Sequence, residues 1–268
     1  MKLIVSNSAT GDQWDLNSPW DISIPLHHGV NNPRAFSIDY PVFEPFRSGS
    51  FVGEVSSGSP CNVMGMQINP HGNGTHTECV GHIGYNAKGQ AGNGSDSCLK
   101  VNTVLSKFWF PVQLVSVTPV HKMDDHSQHW ITQKALSEHL HKNNDCTIEG
   151  LVIRTIPNDS FKLTKDYSET KPAAFEPEAL AYLASLGIQH LLTDLPSVDP
   201  EHDHGKLLAH KAFWCADSEV RNSATITELI YVPAYIPDGR YLLNLMLPNI
   251  ALDAVPSRPI LYPPKAPH

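Results

Sequence analysis

Turn-forming residues set the limits on what this chain can build. Its 22 prolines and 17 glycines are spread through all 268 residues rather than gathered into one linker. Proline removes a backbone donor and glycine lifts the steric bar on positive φ. Their distribution therefore predicts many short elements joined by turns. The length and an apolar fraction of 41% suffice to bury the core of one ordinary α/β domain, expected over residues 1–268.

The hydrophobic pattern sorts those short elements. The first hundred residues read as β- and loop-rich: residues 20–26 alternate apolar and polar, and residues 62–68 form a second candidate strand. Residues 108–117 alternate in the same way, with Pro111 pointing to an edge strand or a bulge. The second half reads as α/β. Thr132 is placed to cap a helix carrying Ala135, Leu136, His139 and Leu140 that stops at Asn143 and Asn144. Residues 151–154 make a buried strand. Pro177 then opens a helix with Leu180, Leu183 and Leu186 on one face and Gly187 as its stop. Residues 188–192 form another apolar strand ending at Thr193 and Asp194, so this strand–helix–strand run predicts a parallel crossover. Residues 256–268 carry five prolines and are expected as an extended C-terminal arm.

Charge and composition exclude several function classes. A formal net charge of -8 and the lack of any Lys/Arg stripe argue against a nucleic-acid partner. No apolar run approaches the ~20 residues of a membrane span. Leu3, Ile4 and Val5 are too few for a signal-peptide core, so a cytoplasmic location is expected. The five cysteines (Cys61, Cys79, Cys98, Cys146 and Cys215) are odd in number and contain no Cys-x-x-Cys pair. They form neither a disulfide framework nor a thiolate zinc site.

Histidine is where chemistry should be sought: there are 15, several of them clustered. The segment His71-Gly-Asn-Gly-Thr-His76-Thr-Glu78-Cys-Val-Gly-His82 is the densest. In an extended backbone, His76 and Glu78 project from the same face. Gly72 and Gly74 allow the chain to fold His71 toward the same point, and Gly81 allows a tight path to His82. Two imidazoles and a carboxylate with open positions left over suit a catalytic divalent metal. Such a metal brings the pKa of a bound water toward neutrality and makes it a nucleophile. A further histidine nearby would shuttle the proton.

These residues resemble the hallmark His-x-Gly-Thr-His-x-Asp-x-Pro-x-His of the cyclase or kynurenine formamidase (arylformamidase) family of metal-dependent hydrolases. The chain matches it at Gly74-Thr75-His76, with an acid at Glu78 and then His82. Further short stretches follow in the family order: residues 21–26, 151–155, 187–188, 194–199, 204–207, Glu228-Leu229 and 256–260. The resemblance implies an α/β fold of the swivelling β/β/α type and assembly as a homodimer. It also implies one or two ions per chain, zinc with manganese as the alternative. His71, His76 and Glu78 would be metal ligands, Glu78 bridging two ions, with His204 and Glu228 completing a second position. His82 would be the general acid/base. The implied activity is hydrolysis of a small amide, N-formylkynurenine to kynurenine plus formate, with metal-bound hydroxide as nucleophile. Four departures stand out: Glu78 for Asp, Val80 for Pro, one extra residue between His71 and His76, and a longer stretch from His204 to Glu228. A Trp expected after the opening strand is missing, and residues 33–36 occupy its place. Phe36 and Phe43 are the aromatic side chains available to hold a substrate instead.

Other readings compete. A cyclase, a dehydratase or a lactam/imide hydrolase could use the same metal site, and a non-catalytic relative could keep only metal binding. His121, His126 and His129 with Asp124 and Asp125 form a second cluster, expected as a solvated polar loop. His27 and His28 are expected at the surface. Asp194 and Asp199 are expected to hold hydrogen bonds or shape the turn before His204 rather than bind metal. Cys79, on the same strand as Glu78, is expected to point away from it.

Overall fold

Along the middle of the chain, successive residues of each strand alternate between two apolar environments, which requires one sheet covered on both faces. The computed structural model describes residues 4–6, 11–92, 94, 97–122, 125–140, 148–215 and 219–265. The main sheet has nine strands: β1 (Trp20–Asp21), β2 (His76–Cys79), β3 (Trp109–Val117), β4 (Gly150–Thr155), β5 (His190–Thr193), β6 (Thr225–Glu228), β7 (Gly239–Asn244), β8 (Ala254–Pro256) and β9 (Ile260–Tyr262). Their spatial order is β8-β2-β6-β5-β4-β3-β7-β9-β1. The four central strands β6, β5, β4 and β3 are parallel. Every strand added on either flank is antiparallel to its neighbour.

Among the described residues five α-helices accompany them: α1 (Pro70–Asn73), α2 (Val101–Val104), α3 (Gln133–Leu140), α4 (Pro177–Ser185) and α5 (Leu208–Trp214). Val115, Val117, Leu151, Ile153, Leu191 and Ile226 pack against Leu136, Leu180, Leu183, Phe213 and Trp214 of α3 to α5. Their strand neighbours Val112, Leu114, Val152 and Leu192 face the opposite core, closed by Ile22, Ile230, Ile236 and Leu243. The period-2 geometry of a strand makes both cores from the same residues in turn. Each fully buried leucine contributes about 2 kcal/mol by leaving water. Helix α4 lies between β4 and β5 in the chain and those strands pair in parallel, as the crossover expectation required. Gly187 follows it at φ 79°. Leu180 and Leu183 are buried, but Leu186 is exposed because the helix ends at Ser185 and Leu186 lies past its last turn.

Several elements differ from the sequence reading. The opening strand is only Trp20–Asp21, and residues 22–26 run on irregularly, held by Ile22 N–H to the Pro259 carbonyl and Ile24 N–H to Thr75 Oγ1. The second expected strand is Met64–Gln67, which pairs outside the main sheet with Val42–Pro45. Pro111 sits inside the sheet rather than on an edge. Its carbonyl accepts from Glu149 N–H on the β4 side, and its missing donor faces the same side, just before β4 begins at Gly150. The ladder therefore loses nothing there. In the C-terminal tail, Pro256 closes β8 and Ile260–Tyr262 joins the sheet as β9, so those residues are paired backbone rather than a free arm. The polar stretch from 120 to 131 forms a hairpin, Val120–Lys122 with Asp125–Ile131, that sets His121 opposite His129. Thr132 Oγ1 accepts from Ala135 N–H at the start of α3. The expected stop at Asn143 and Asn144 lies outside the described residues, as do Asp124, Cys146 and the side chains of Asp125 and His126.

His190 gives the fold a pH signature. It opens β5 buried, with Nδ1 2.8 Å from Thr225 Oγ1 and its ring stacked on Phe110 at 4.2 Å. Burial, with Lys107 and Arg221 adding to it, pushes its pKa down to about 4. Unfolded, the ring takes up a proton near pH 6.5 while the folded ring does not. Its contribution is therefore full above pH 6.5 and is lost as pH falls toward 4, by an amount on the order of 3 kcal/mol. Urea unfolding across that range should show a pH slope that flattens by about this much in His190→Asn relative to the parent. Equal slopes would show that His190 protonates as easily folded as unfolded.

Candidate metal centre

The site is assembled from strand alternation and one sheet register. On β2, His76 and Glu78 share a face, while Thr77 and Cys79 take the other. Antiparallel pairing with β6 sets Glu228 opposite His76 and Ile226 opposite Glu78. Since Ile226 belongs to the core beneath the helices, the His76–Glu78 face looks toward α5. Thr75 anchors this strand on both sides, accepting from Ile24 N–H and donating to the Leu229 carbonyl.

Two one-turn helices bring in the flanking histidines. The Asn69 side chain caps α1 by accepting from His71 N–H, and the Asn69 N–H donates to Asn73 Oδ1. Gly72 in this turn lies so close to Ile38 that a Cβ would sit 2.7 Å from its side chain. After β2 the chain enters a 3-10 turn, Val80–Ile83, carrying His82. A Cβ on Gly81 would meet the Leu99 carbonyl oxygen at 2.0 Å, so only glycine allows that path.

The side chains converge on Glu78, whose carboxylate is fully buried. Its Oε2 lies 3.3 Å from His71 Nδ1 and 3.8 Å from His82 Nδ1, and its Oε1 lies 3.1 Å from His210 Nε2. His76 Nε2 is 3.3 Å from Glu228 Oε2, and Glu228 Oε1 accepts from Val198 N–H at 2.9 Å. Asp253, next to β8, places Oδ2 at 3.0 Å from His71 Nε2 and 3.2 Å from His82 Nδ1. His76, Glu78, His210 and Glu228 are buried, whereas His71, His82 and Asp253 keep 23%, 26% and 37% of their side-chain surface. The latter three form the open side of the cluster.

Electrostatics follow from this crowding. Burial works to raise the Glu78 pKa, but the imidazoles of His82, His210 and His71 hold it well below the usual carboxylate range. Burial also disfavours charge on His71, yet Asp253 and Glu78 outweigh it and raise the ring to about 10. His210 is raised to about 10 in the same way by Asp199 and Glu78. Burial opposes ionisation of Asp253 and Asp199 as well, and their histidine partners hold both below the usual range. The buried carboxylates thus demand positive charge, supplied either by protons on the rings or by a cation.

His76 bears on this choice. Its Nδ1 lies 2.9 Å from the Gly74 carbonyl, which can only accept, so Nδ1 carries a proton, and in the neutral ring Nε2 is left with a lone pair. That Nε2 and Glu78 Oε2 are both buried without a hydrogen-bond partner. A bare imidazole lone pair facing the Glu228 carboxylate is unfavourable in a low-dielectric interior. A divalent cation among these nitrogen and oxygen donors removes the conflict. His71, His76 and Glu78 lie close enough to share one ion, as do Glu78, His82 and His210.

Of the residues singled out in the sequence, His71, His76, Glu78, His82 and Glu228 come together here. His204 does not. It is exposed at φ 59° in the turn before α5, among Trp130, His202 and Lys206 around a cavity of about 410 Å³. His210, on α5 and 2% exposed, lies against Glu78 instead. Its position is set by Asp199, which accepts from Ala209 N–H, His210 N–H and His210 Nδ1 and so caps the first turn of α5. The sequence signal for His210 was the overlong stretch from His204 to Glu228, which the later histidine shortens. Asp253 had no signal beyond its place just before the resembling residues 256–260.

The competing candidates have other partners. Cys79 is buried, its thiol pushed up to about 12 by burial, and contacts the Leu99 carbonyl. Asp194 bonds Thr155 and Lys162. His27 and His28 are exposed. Phe36 is partly exposed at φ 58° and lines a small crevice with Tyr167, Pro196 and Asp199. Phe43 pairs with Met66 in the outlying two-stranded sheet.

Comparison with known proteins places these features. The model of the family described as Putative cyclase matches residues 15–200. A kynurenine formamidase of Bordetella avium (strain 197N) is 27% identical over 246 residues, spanning 90% of this chain and 96% of that protein. Isatin hydrolase A from Labrenzia aggregata, bound to benzyl benzoate, superposes with a TM-score of 0.63 at 11% identity, covering 91% of this chain and 93% of that one. A structure described as a potential metal-dependent hydrolase with cyclase activity gives 0.60 at 17% identity, covering 92% and 98%. The α/β fold expected from the family resemblance is the one shared with these structures.

Single substitutions separate the two histidines before and within α5. His210→Ala should weaken retention of added zinc or manganese about 10-fold or more, since a ligand or its immediate support is lost. His204→Ala should leave it unchanged. Elemental analysis after dialysis of both variants checks this, and the opposite ranking would restore His204 as the ligand.

Proposed function

The chain belongs to the Putative cyclase family and is a hydrolase of that family, and we propose that it cleaves the C–N bond of a small amide with the help of a divalent metal. One observation carries this reading. His76 Nε2 and Glu78 Oε2 are buried without a hydrogen-bond partner, in a cluster built only of nitrogen and oxygen donors. Similarity to a kynurenine formamidase and to isatin hydrolase folds supports an amide or lactam as substrate.

His71, His76 and Glu78 would hold one ion, and Glu78, His210 and Glu228 would hold a second. Zinc suits this donor set and manganese is the alternative. When bound, the metal supplies Lewis-acid polarisation of a carbonyl and a water acidified toward neutral pH. The chain supplies the rest. Substrate approaches from the open side formed by His71, His82 and Asp253, because the other donors are sealed from solvent. His82 donates its Nδ1 proton to Asp253, which leaves Nε2 as the nitrogen that takes a proton and returns it to the departing amine. Asp199 and the Gly74 carbonyl keep His210 and His76 in single tautomers throughout.

Phe36 is the aromatic side chain we assign to the substrate side, in place of the missing tryptophan. We further assign a cytoplasmic homodimer; among the described residues no helix is long and apolar enough to cross a membrane.

The test is hydrolysis by zinc- and manganese-loaded protein of a panel containing N-formylkynurenine, other N-formyl anilines, lactams and cyclic imides. Cleavage of N-formylkynurenine is expected, with a faster substrate among the lactams or imides, and none by metal-free protein. His82→Ala should keep its metal and lose turnover by about 10²–10⁴-fold. An untouched N-formylkynurenine beside an opened ring would remove the formamidase activity and keep the hydrolase. If no C–N bond in the panel is cleaved, a cyclase or dehydratase reaction takes its place.

A further inference from the structure

One carboxylate oxygen, Asp253 Oδ2, is shared by two imidazoles at the open side of the cluster: His71 Nε2 at 3.0 Å and His82 Nδ1 at 3.2 Å. A carboxylate only accepts, so each of those nitrogens carries a proton. In the neutral rings the lone pairs must then sit on His71 Nδ1 and His82 Nε2. His71 Nδ1 is the nitrogen that faces Glu78 Oε2, at 3.3 Å.

The other two rings follow the same logic with the opposite edge. His76 gives its Nδ1 proton to the Gly74 carbonyl and His210 gives its own to Asp199, so both present Nε2 to the centre. We propose that Asp253 is the positioning residue that makes His71 bind the metal through Nδ1, unlike His76 and His210, and at the same time keeps His82 Nε2 free as the proton carrier. This rests on the reading of the cluster as a metal centre.

The local chain explains why such a residue is needed. His71 does not lie on β2 with His76 but on the one-turn helix α1, fixed by the Asn69 cap and by Gly72 against Ile38. That turn contains the extra residue between His71 and His76. Its ring therefore reaches Glu78 with a different edge, and its far nitrogen needs an acceptor that the strand does not provide. Asp253 provides it from a fixed place: its carbonyl accepts Cys79 N–H, and the next residue, Ala254, pairs with Glu78 in the sheet. Carboxylate partners of this kind hold ring orientation and raise ligand basicity, and losing one typically weakens metal binding about 10–100-fold.

Asp253→Asn keeps the shape but removes the charge from the shared acceptor, and its amide can turn an N–H instead of an oxygen toward the two rings, so the ring protons are no longer held in place. The experiment is one-bond ¹¹³Cd–¹⁵N coupling to the ligating ring nitrogen, set against the three-bond coupling to the far one, in ¹⁵N-histidine-labelled protein loaded with cadmium. It is combined with cadmium and zinc affinities, measured by chelator competition, for the parent, Asp253→Asn and Asp253→Ala. The expected result is coupling at Nδ1 of His71 and at Nε2 of His76 and His210, with His82 in the Nδ1–H form. Both variants should bind metal about 10–100-fold more weakly, and Asp253→Asn should mix the His82 tautomers. Coupling at His71 Nε2, or an unchanged affinity in both variants, overturns the proposal. The coupling pattern of the parent decides the matter even if a variant fails to fold. A parent that takes up no cadmium at these rings overturns the metal reading itself, a result distinct from a wrong edge on His71.

Discussion

A full negative charge buried on a strand is the constraint around which this molecule is organised. Glu78 sits within the sheet, flanked by β6 and β8, with no access to water. An isolated carboxylate in such a place would protonate rather than persist. Here three imidazoles face it, and they come from α1, from the turn after β2, and from α5. The sheet delivers the charge, and the irregular parts of the chain are bent to meet it.

The same demand links the site to the fold. Helix α5 begins at a left-handed residue, Leu207, whose side chain offers no cap. Asp199 satisfies that first turn from the loop after β5 and grips the His210 ring with the same carboxylate. One side chain thereby settles where the helix starts and which nitrogen His210 shows to Glu78. Val198, beside it, donates its N–H to Glu228. The loop after β5 thus touches both the helix-borne and the strand-borne members of the cluster, although it contributes no donor of its own.

Much of this was legible in the residues, and the limits have physical causes. The i, i+2 rule placed His76 and Glu78 on one face because a strand has a strict period, and the same rule turned Cys79 away. The parallel crossover through α4 followed from periodicity bounded by Pro177 and Gly187. Pro111 misled because a missing donor matters only where a partner strand stands opposite it, and that depends on where β4 begins. His210 and Asp253 were illegible for a related reason. Their roles depend on contacts across 132 and 182 residues of chain, and no local pattern in sequence encodes such pairings. His204 drew notice by its place in a familiar order, whereas burial and the reach of Asp199 favour the later histidine.

The alternation on β2 also says where this chain can change length. Between His71 and His76 the backbone is a short turn with glycines on either side, and an added residue there rotates a ring that Asp253 can still grip. Inside β2 no such slack exists. One residue gained or lost between His76 and Glu78 would send one of them to the opposite face, where Thr77 now meets Thr227. Slippage of the whole strand would present a hydroxyl and a thiol to α5 in place of an imidazole and a carboxylate. Among descendants of this sequence, indels should therefore collect before Gly74, and none should survive between His76 and Cys79.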